Sequence, residues 1–271
     1  MAAQFEWGAR TYLMGILNVT PDSFSGDGLA DDRGAAIEQA LRMEAEGADI
    51  IDVGGMSTRP GHVEVTAAEE LRRVMDVLPD LVARLRVPVS VDTFSYEVAV
   101  AALDAGATAV NDVWGLQREP RLARLASTSG ALLFLMHNQD GTQYDDLVAD
   151  IIGSLARSVA VAEVSGVPRD HIVVDPGIGF GKTADQNLEV LGRLAELRSL
   201  GLPILLGTSR KSTIGKVLGT EVDDRLEGTA ATVALGIGGG VDMVRVHDVA
   251  QMARVARMAD AIARRPERVS G

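Results

Sequence analysis

Residues 12–28 read YLMGILNVTPDSFSGDG. The stretch YLMGILN (12–18) is a short apolar run, the pattern of a buried strand, and it stops at Asn18. The chain then turns polar, using Thr, Pro, Asp, Ser and Gly around one large aromatic, Phe24. This transition decides between two α/β architectures. An open, doubly wound sheet of the dinucleotide-binding kind places a Gly-rich turn, G-x-G-x-x-G, directly after its first strand. NVTPDSFSGDG is not that turn. It is a long polar loop, of the sort that a (β/α)8 barrel carries at the C-terminal end of a strand.

Seven further apolar runs follow: DIIDVGG (49–55), PVSVDTF (88–94), TAVNDV (108–113), ALLFLMHN (131–138), HIVVDPG (171–177), PILLGTS (203–209) and VDMVRVHD (241–248). Most are nearly continuous in apolar residues, as parallel strands covered on both faces must be. Amphipathic stretches separate them, among them 33–48, with Ile37, Leu41 and Ala45 at helical spacing, and 67–85. Gly47, Gly106, Gly130, Gly166 and Gly201 each stand between a helical stretch and the next strand, where glycine stops a helix in the left-handed conformation. Eight β-α units in 271 residues predict an α/β fold, a single (β/α)8 TIM barrel. No Pro-, Ser- or Gly-rich linker divides the chain, so residues 1–271 read as one domain. GIGGG (236–240) reads as a tight turn into the eighth strand.

Hydrophobic residues are 46% of the chain and aromatics 4%, so the expected core is large and aliphatic. There is no cysteine, which excludes disulfides, thiolate metal sites and a cysteine nucleophile. The formal net charge of −12 argues against nucleic acid and anionic membrane as partners, because both need a basic footprint. No stretch approaches the roughly 18 apolar residues of a spanning helix. The N-terminus lacks the pattern of a signal peptide, and a cytoplasmic protein is expected.

Barrel chemistry gathers at the C-terminal ends of the strands. Here those ends carry Asn18; Thr58, Arg59 and Pro60; Asp92; Asn111 and Asp112; Met136, His137 and Asn138; Asp175; Ser209, Arg210, Lys211 and Ser212; and Arg245, His247 and Asp248. An Asp after a strand is often a helix N-cap, a reading that suits Asp112 and Asp248. Asp92 and Asp175 follow their apolar runs directly, where a side chain can face the barrel mouth. With Asn111 they suit a flat heterocycle bearing several N–H donors, since a carboxylate accepts two parallel hydrogen bonds from an amidine-like edge. His62, His137, His171 and His247 lack metal-ligand spacing. Asn18 together with substrate oxygens suits Mg2+, which keeps waters and leans on phosphate ligands. Ser212 stands where a short helix can open beside Lys211, an arrangement that receives anions. Arg245 and His247 alternate on the last strand and so point the same way, and an ion pair at the barrel end competes with an anion site for Arg245.

NVTPDSFSGDG, DVGGMSTRPG, SVDT, NDV, LMHN, VVDPGIGFGK, GTSRKS and VRVHD, taken in this order and spacing, resemble the bacterial dihydropteroate synthases over about residues 12 to 262. The resemblance implies a barrel, as a homodimer, that joins 6-hydroxymethyl-7,8-dihydropterin pyrophosphate to p-aminobenzoate with the help of Mg2+. It implies pterin contacts at Asp92, Asn111, Asp175 and Lys211, with Met136 and Gly207 as walls. It implies a pyrophosphate and Mg2+ end at Asn18, Arg245 and His247, joined by Thr58 and Arg59 of a mobile second loop. The p-aminobenzoate site it implies is made by Lys211, Ser212, Thr58, Pro60 and Phe180, with Phe24 of the first loop as a lid. Asp92, Asp175, Lys211, Arg245 and His247 carry the chemistry on this reading. Sulfonamides, which mimic p-aminobenzoate, are the implied inhibitors.

Two departures stand out. Met56 occupies a position where that family usually has Glu, and SFSGDG replaces the more usual SFSDGG. Both lie in or beside the two loops and put loop geometry, p-aminobenzoate affinity and sulfonamide response in question. They leave open a non-catalytic pterin-binding paralogue. A methyltetrahydrofolate-dependent corrinoid methyltransferase is the other alternative, but it has no use for the pyrophosphate site that NVTPDSF, SRKS and RVH imply.

Overall fold

The strands form where the apolar runs predict them. In the computed structural model, which describes residues 5–19, 29–56 and 65–264, β1 is Tyr12–Asn18, β2 Ile50–Gly54, β3 Val89–Asp92, β4 Ala109–Asp112, β5 Leu132–Met136, β6 Ile172–Asp175, β7 Leu205–Leu206 and β8 Met243–Val246. Among the described residues these strands pair in parallel, in the order β6-β5-β4-β3-β2-β1-β8-β7. The two ends of that sheet meet through the parallel bridge Val174↔Ile204 and a 2.9 Å hydrogen bond from Val174 N–H to the Pro203 carbonyl, so the sheet closes into a barrel.

Nine helices are described. α1 (Leu29–Glu46), α2 (Ala67–Arg84), α3 (Tyr96–Asp104), α4 (Arg121–Ser129), α5 (Leu147–Val164) and α6 (Ala184–Gly192) follow the first six strands. α7 (Ser212–Leu218) is an extra short helix after β7, ahead of α8 (Leu226–Gly238), and α9 (Val249–Ala263) follows β8. α1 starts four positions ahead of the 33–48 expected from its apolar spacing. The glycines expected to stop helices, Gly47, Gly106, Gly130, Gly166 and Gly201, all adopt positive φ. GIGGG needs correcting: its first three residues finish α8, where Gly236 comes close to Leu206, and only Gly239 and Gly240 turn toward β8. A side chain at 236 would collide with Leu206, so close packing rather than a turn accounts for that glycine.

Strand alternation sorts the side chains into two cores. Outward residues such as Leu17, Val53, Val91 and Val174 pack under the helices. Inward residues Met14, Ile50, Phe134, Val173, Leu205 and Met243 fill the barrel's lower half, with Phe5 and Trp7 against them. Phe5 and Trp7 meet the Tyr12 ring at centroid distances of 4.8 and 5.6 Å, in edge-on contact. With its lower half solid, the barrel leaves its polar inward residues to the upper rim.

Candidate active site

Register brings Asn18, Gly54, Asp92 and Asn111 into one row across β1 to β4, each opposite the next. Met136 and Asp175 face each other on β5 and β6. Period-two alternation turns these residues inward at the top of the barrel, above the aliphatic plug. Two glycines keep the space open. A Cβ on Gly54 would stand 3.7 Å from Asp92 Oδ2 and 3.8 Å from Asn18 Oδ1. A Cβ on Gly207, just after β7, would stand 3.9 Å from Asp175 Oδ2 and from Arg245 Cβ, and 4.0 Å from Lys211 Nζ. Asp175, Lys211 and Arg245 therefore converge on one point.

Asp52, which the sequence reading did not single out, lies one inward step below Gly54 and is wholly buried. Its Oδ2 accepts from Asn111 Nδ2 at 2.9 Å and from Arg245 Nε at 2.7 Å. Arg245 Nη2 reaches Asp92 Oδ2 at 2.7 Å. The ion pair weighed for Arg245 thus forms, and it forms with two carboxylates at the barrel floor. Asp92 Oδ1 and Asp52 Oδ1 are buried and find no hydrogen-bond partner among the described residues. Burial pushes the Asp92 carboxyl up, against the pull of Arg245, with Asp52 and Glu70 adding to the rise. An incoming N–H donor would satisfy what Asp92 leaves unpaired.

Across the mouth, Asp175 Oδ1 accepts the Gly177 N–H at 2.7 Å. Burial raises its pKa and Lys211 opposes the rise. Lys211 sits at the N-cap of α7, donates to the Ile178 carbonyl and holds its ammonium 4.5 Å from the Phe180 ring centroid. Burial pushes Lys211 down to about 8. Its neighbour Arg210, with φ 56°, turns the other way and pairs with Asp248 at 2.5 Å. Asp248 does occupy the N-cap position of α9, but its carboxylate goes to Arg210 rather than to the helix N–H groups. Asp112 caps no helix: its oxygens accept from Trp114 and Leu116 N–H in the loop after β4. His247 Nδ1 lies 2.9 Å from Ser209 Oγ, which also accepts the His247 backbone N–H at 3.1 Å. The Ser209 hydroxyl thus holds both the backbone and the ring of His247 in place. Ser212 is exposed at the first turn of α7, and Met56 is buried where β2 gives way to its loop.

Phe24, Thr58, Arg59 and Pro60 lie outside the described residues. No group of three or more His, Cys, Asp or Glu suited to a metal occurs among the described residues. The hard oxygen beside Asp92 is the Asn18 carboxamide. A single such ligand fits Mg2+, which takes the rest of its shell from water and phosphate.

Four likenesses to known proteins bear on this site. The family described as "Pterin binding enzyme" matches residues 14–247. The chain is 47% identical over 263 residues to a dihydropteroate synthase of Clostridium beijerinckii, covering 97% of this chain and 98% of that one. In overall shape it is similar to the dihydropteroate synthase of Clostridium difficile crystallised in the presence of pteroic acid (TM-score 0.95, 54% identity, 97% and 100% of the two chains). It is also similar to that of Xanthomonas albilineans with 4-aminobenzoic acid (TM-score 0.91, 41% identity, 96% and 95%).

Proposed function

The chain belongs to the family of pterin binding enzymes, and from that premise we propose how its barrel mouth makes dihydropteroate. Its activity is that of a dihydropteroate synthase, a transferase of folate biosynthesis. 6-Hydroxymethyl-7,8-dihydropterin pyrophosphate and p-aminobenzoate combine to give 7,8-dihydropteroate and pyrophosphate. The observation that carries the site reading is the convergence of Asp92, Asp175, Lys211 and Arg245 on space kept clear by Gly54 and Gly207.

Asp92 and Asn111 take the pterin's N–H edge, with the unpaired Asp92 Oδ1 as acceptor. Asp175 and Lys211 take its other side, between Met136 and Gly207. As the C–O bond to pyrophosphate lengthens early, positive charge grows on the pterin methylene, and the fixed carboxylate of Asp175 favours it. Preorganised charge in a dry site is where such catalysis gains most. His247, Asn18 and the second loop, through Thr58 and Arg59, serve the leaving pyrophosphate on this reading. Arg245 adds its field while holding Asp52 and Asp92. Asn18 would hold Mg2+, which when bound neutralises charge on the pyrophosphate oxygens. The arylamine nitrogen attacks the methylene and sheds a proton. Its ring lies beside Phe180, with its carboxylate at Ser212 and the start of α7. Phe24 and Pro60 cover it, so that water does not reach the electrophilic carbon first. We place the working protein in the cytoplasm as a homodimer, with residues 1–271 as one domain and sulfonamides competing at the p-aminobenzoate site.

The test is to follow pyrophosphate release and dihydropteroate formation with Mg2+, with and without p-aminobenzoate. Matched release and product, dependent on p-aminobenzoate, is expected. Tight pterin binding without product would replace this reading by the non-catalytic paralogue.

A further inference from the structure

The loop that follows β6, residues 176–182, is held at almost every peptide. Gly177 N–H donates to Asp175, Gly179 N–H to Asn187 Oδ1 at 2.7 Å, and Phe180 N–H to the Gly177 carbonyl at 3.1 Å. Lys211 grips the Ile178 carbonyl, and the Tyr144 hydroxyl grips that of Gly181 at 2.8 Å. The remaining contacts come from the loop's own last residue. Lys182 Nζ lies 3.0 Å from each of the Gly177 carbonyl, the Phe180 carbonyl and His137 Nδ1. An ammonium has three protons, and here each meets an acceptor. None of these acceptors is a carboxylate, and burying a lysine among neutral partners is costly.

We propose that Lys182 is a positioning residue, whose ammonium clasps the Gly177–Lys182 loop and so sets Asp175 and Phe180 in place together for the condensation. The inference rests on the synthase reading and deepens it. Gly177 is fixed from both sides, its N–H on Asp175 and its carbonyl on Lys182. Phe180 is fixed through its carbonyl, next to the ring that faces Lys211.

A neutral amine keeps two protons and gains a lone pair, but its bonds to the Gly177 and Phe180 carbonyls lose their charge assistance. The charged form is therefore the stronger clasp. Burial pushes Lys182 down to about 7; Asp175 on β6 favours its charge, and Lys211 at the head of α7 opposes it. His137 at the end of β5 stays neutral, pushed to about 3 by burial, by Lys182 and by Arg157 of α5. Tyr144 is raised to about 12 by burial, so its bond to Gly181 holds throughout. The clasp is tighter at pH 6 than at pH 9.

Hydrogen exchange on the unaltered protein reads this directly. After correction for intrinsic rates, protection of the Phe180 amide is expected to fall about fivefold from pH 6 to pH 9, the loss of about one net hydrogen bond. Equal protection at the two pH values overturns the clasp. Kinetics supply the second reading. Lys182→Gln keeps two donor protons and no charge. Its kcat/KM for p-aminobenzoate should be about tenfold below the unaltered protein at pH 6, with the gap closing by pH 9. Lys211, which is pushed to about 8, titrates in both proteins and leaves that ratio unchanged, so a ratio equal at the two pH values overturns the proposal. A variant that does not fold leaves the exchange measurement to decide. A parent protein that makes no dihydropteroate at any pH fails the synthase reading instead, and exchange still judges the clasp.

Discussion

Arg245 holds two carboxylates on one guanidinium, and both belong to the barrel floor. Asp52 is fully buried and Asp92 is 8% exposed, so neither can recover solvation if the arginine goes. Removing one member of a buried ion pair strands a charge, at about 3–5 kcal/mol. Arg245→Met is therefore expected to lower urea stability by about 3 kcal/mol, with Mg2+ and substrates absent. Adding Asp52→Asn removes one of the stranded charges and should return about 1 kcal/mol or more. If the single variant loses under about 1 kcal/mol, Arg245 is not the main support of these carboxylates. The same triad explains why an ion pair and a functional site are not rival readings of Arg245. The pair fixes Asp92 Oδ2 and leaves Oδ1 for a ligand.

At the scale of elements, the β6–α6 connection is the most constrained feature of the mouth. Gly177 has φ 70°, and a Cβ there would stand 1.9 Å from the His137 carbonyl oxygen, so no rotamer change accommodates it. Gly177→Ala should shift the loop, break the N–H contact to Asp175 and raise the Kd for the dihydropterin pyrophosphate about tenfold or more, read by calorimetry. Gly192→Ala, at a position with nothing within 4 Å of a Cβ, should bind as the parent does. Equal binding by both variants would detach the loop from the pterin site. The strand ends were legible in the sequence because apolar runs stop abruptly at Asp92, Asn111 and Asp175, and a barrel can send those side chains only to its mouth or its helices. Asp52 was not legible in the same way: it sits inside the run DIIDVGG, and only the inward row Ile50, Asp52, Gly54 shows that it belongs to the site. Lys182 closes a glycine-rich phrase whose three left-handed turns, at Gly177, Gly179 and Gly181, are needed before its ammonium can reach back to Gly177. Sequence spacing carries no sign of that reversal. The short α7 was legible from Ser212 onward, but the opposite directions of Arg210 and Lys211 follow from φ 56° at Arg210, which adjacent basic residues do not reveal.

Two properties belong to the whole molecule. The first is an apolar face: Leu235 on α8 is 74% exposed, and Met258 and Ile262 on α9 are 63% and 64% exposed, these two beside a groove with Ala234 and Gly238. Exposed apolar residues grouped in this way mark association surfaces, and we propose them as the face that a homodimer would cover. Leu235→Lys with Ile262→Asp should move the sedimentation coefficient to that of a monomer, and an unchanged dimer would place the interface elsewhere. The second is the pH dependence of stability. Glu70, Asp92, Asp112 and Asp175 are all raised by burial, Asp112 to about 6, as is Asp242 at the foot of β8. From about pH 4 up to their folded pKa values these groups hold protons that the unfolded chain has lost, so stability falls as pH rises through that window. His137, lowered to about 3, works in the opposite direction below its ordinary value, but it is one group against five. Lys182 and Lys211, lowered to about 7 and 8, shed protons that the unfolded chain keeps to about pH 10, so stability climbs again on the alkaline side. The exposed pairs at Glu69 and Glu196 add little to either limb. The ligand-free protein should then have a stability minimum near neutral pH, with a Tm at pH 5 about 3 °C or more above that at pH 7, at fixed protein concentration. Dihydropterin pyrophosphate with Mg2+ should raise Tm most at the minimum, because its donors and charges meet the same carboxylates and lysines that are costly when empty. A Tm that rises steadily from pH 5 to pH 7 would mean that water enters the barrel mouth freely enough to solvate those groups, and the dry preorganised site on which the catalytic argument depends would not exist.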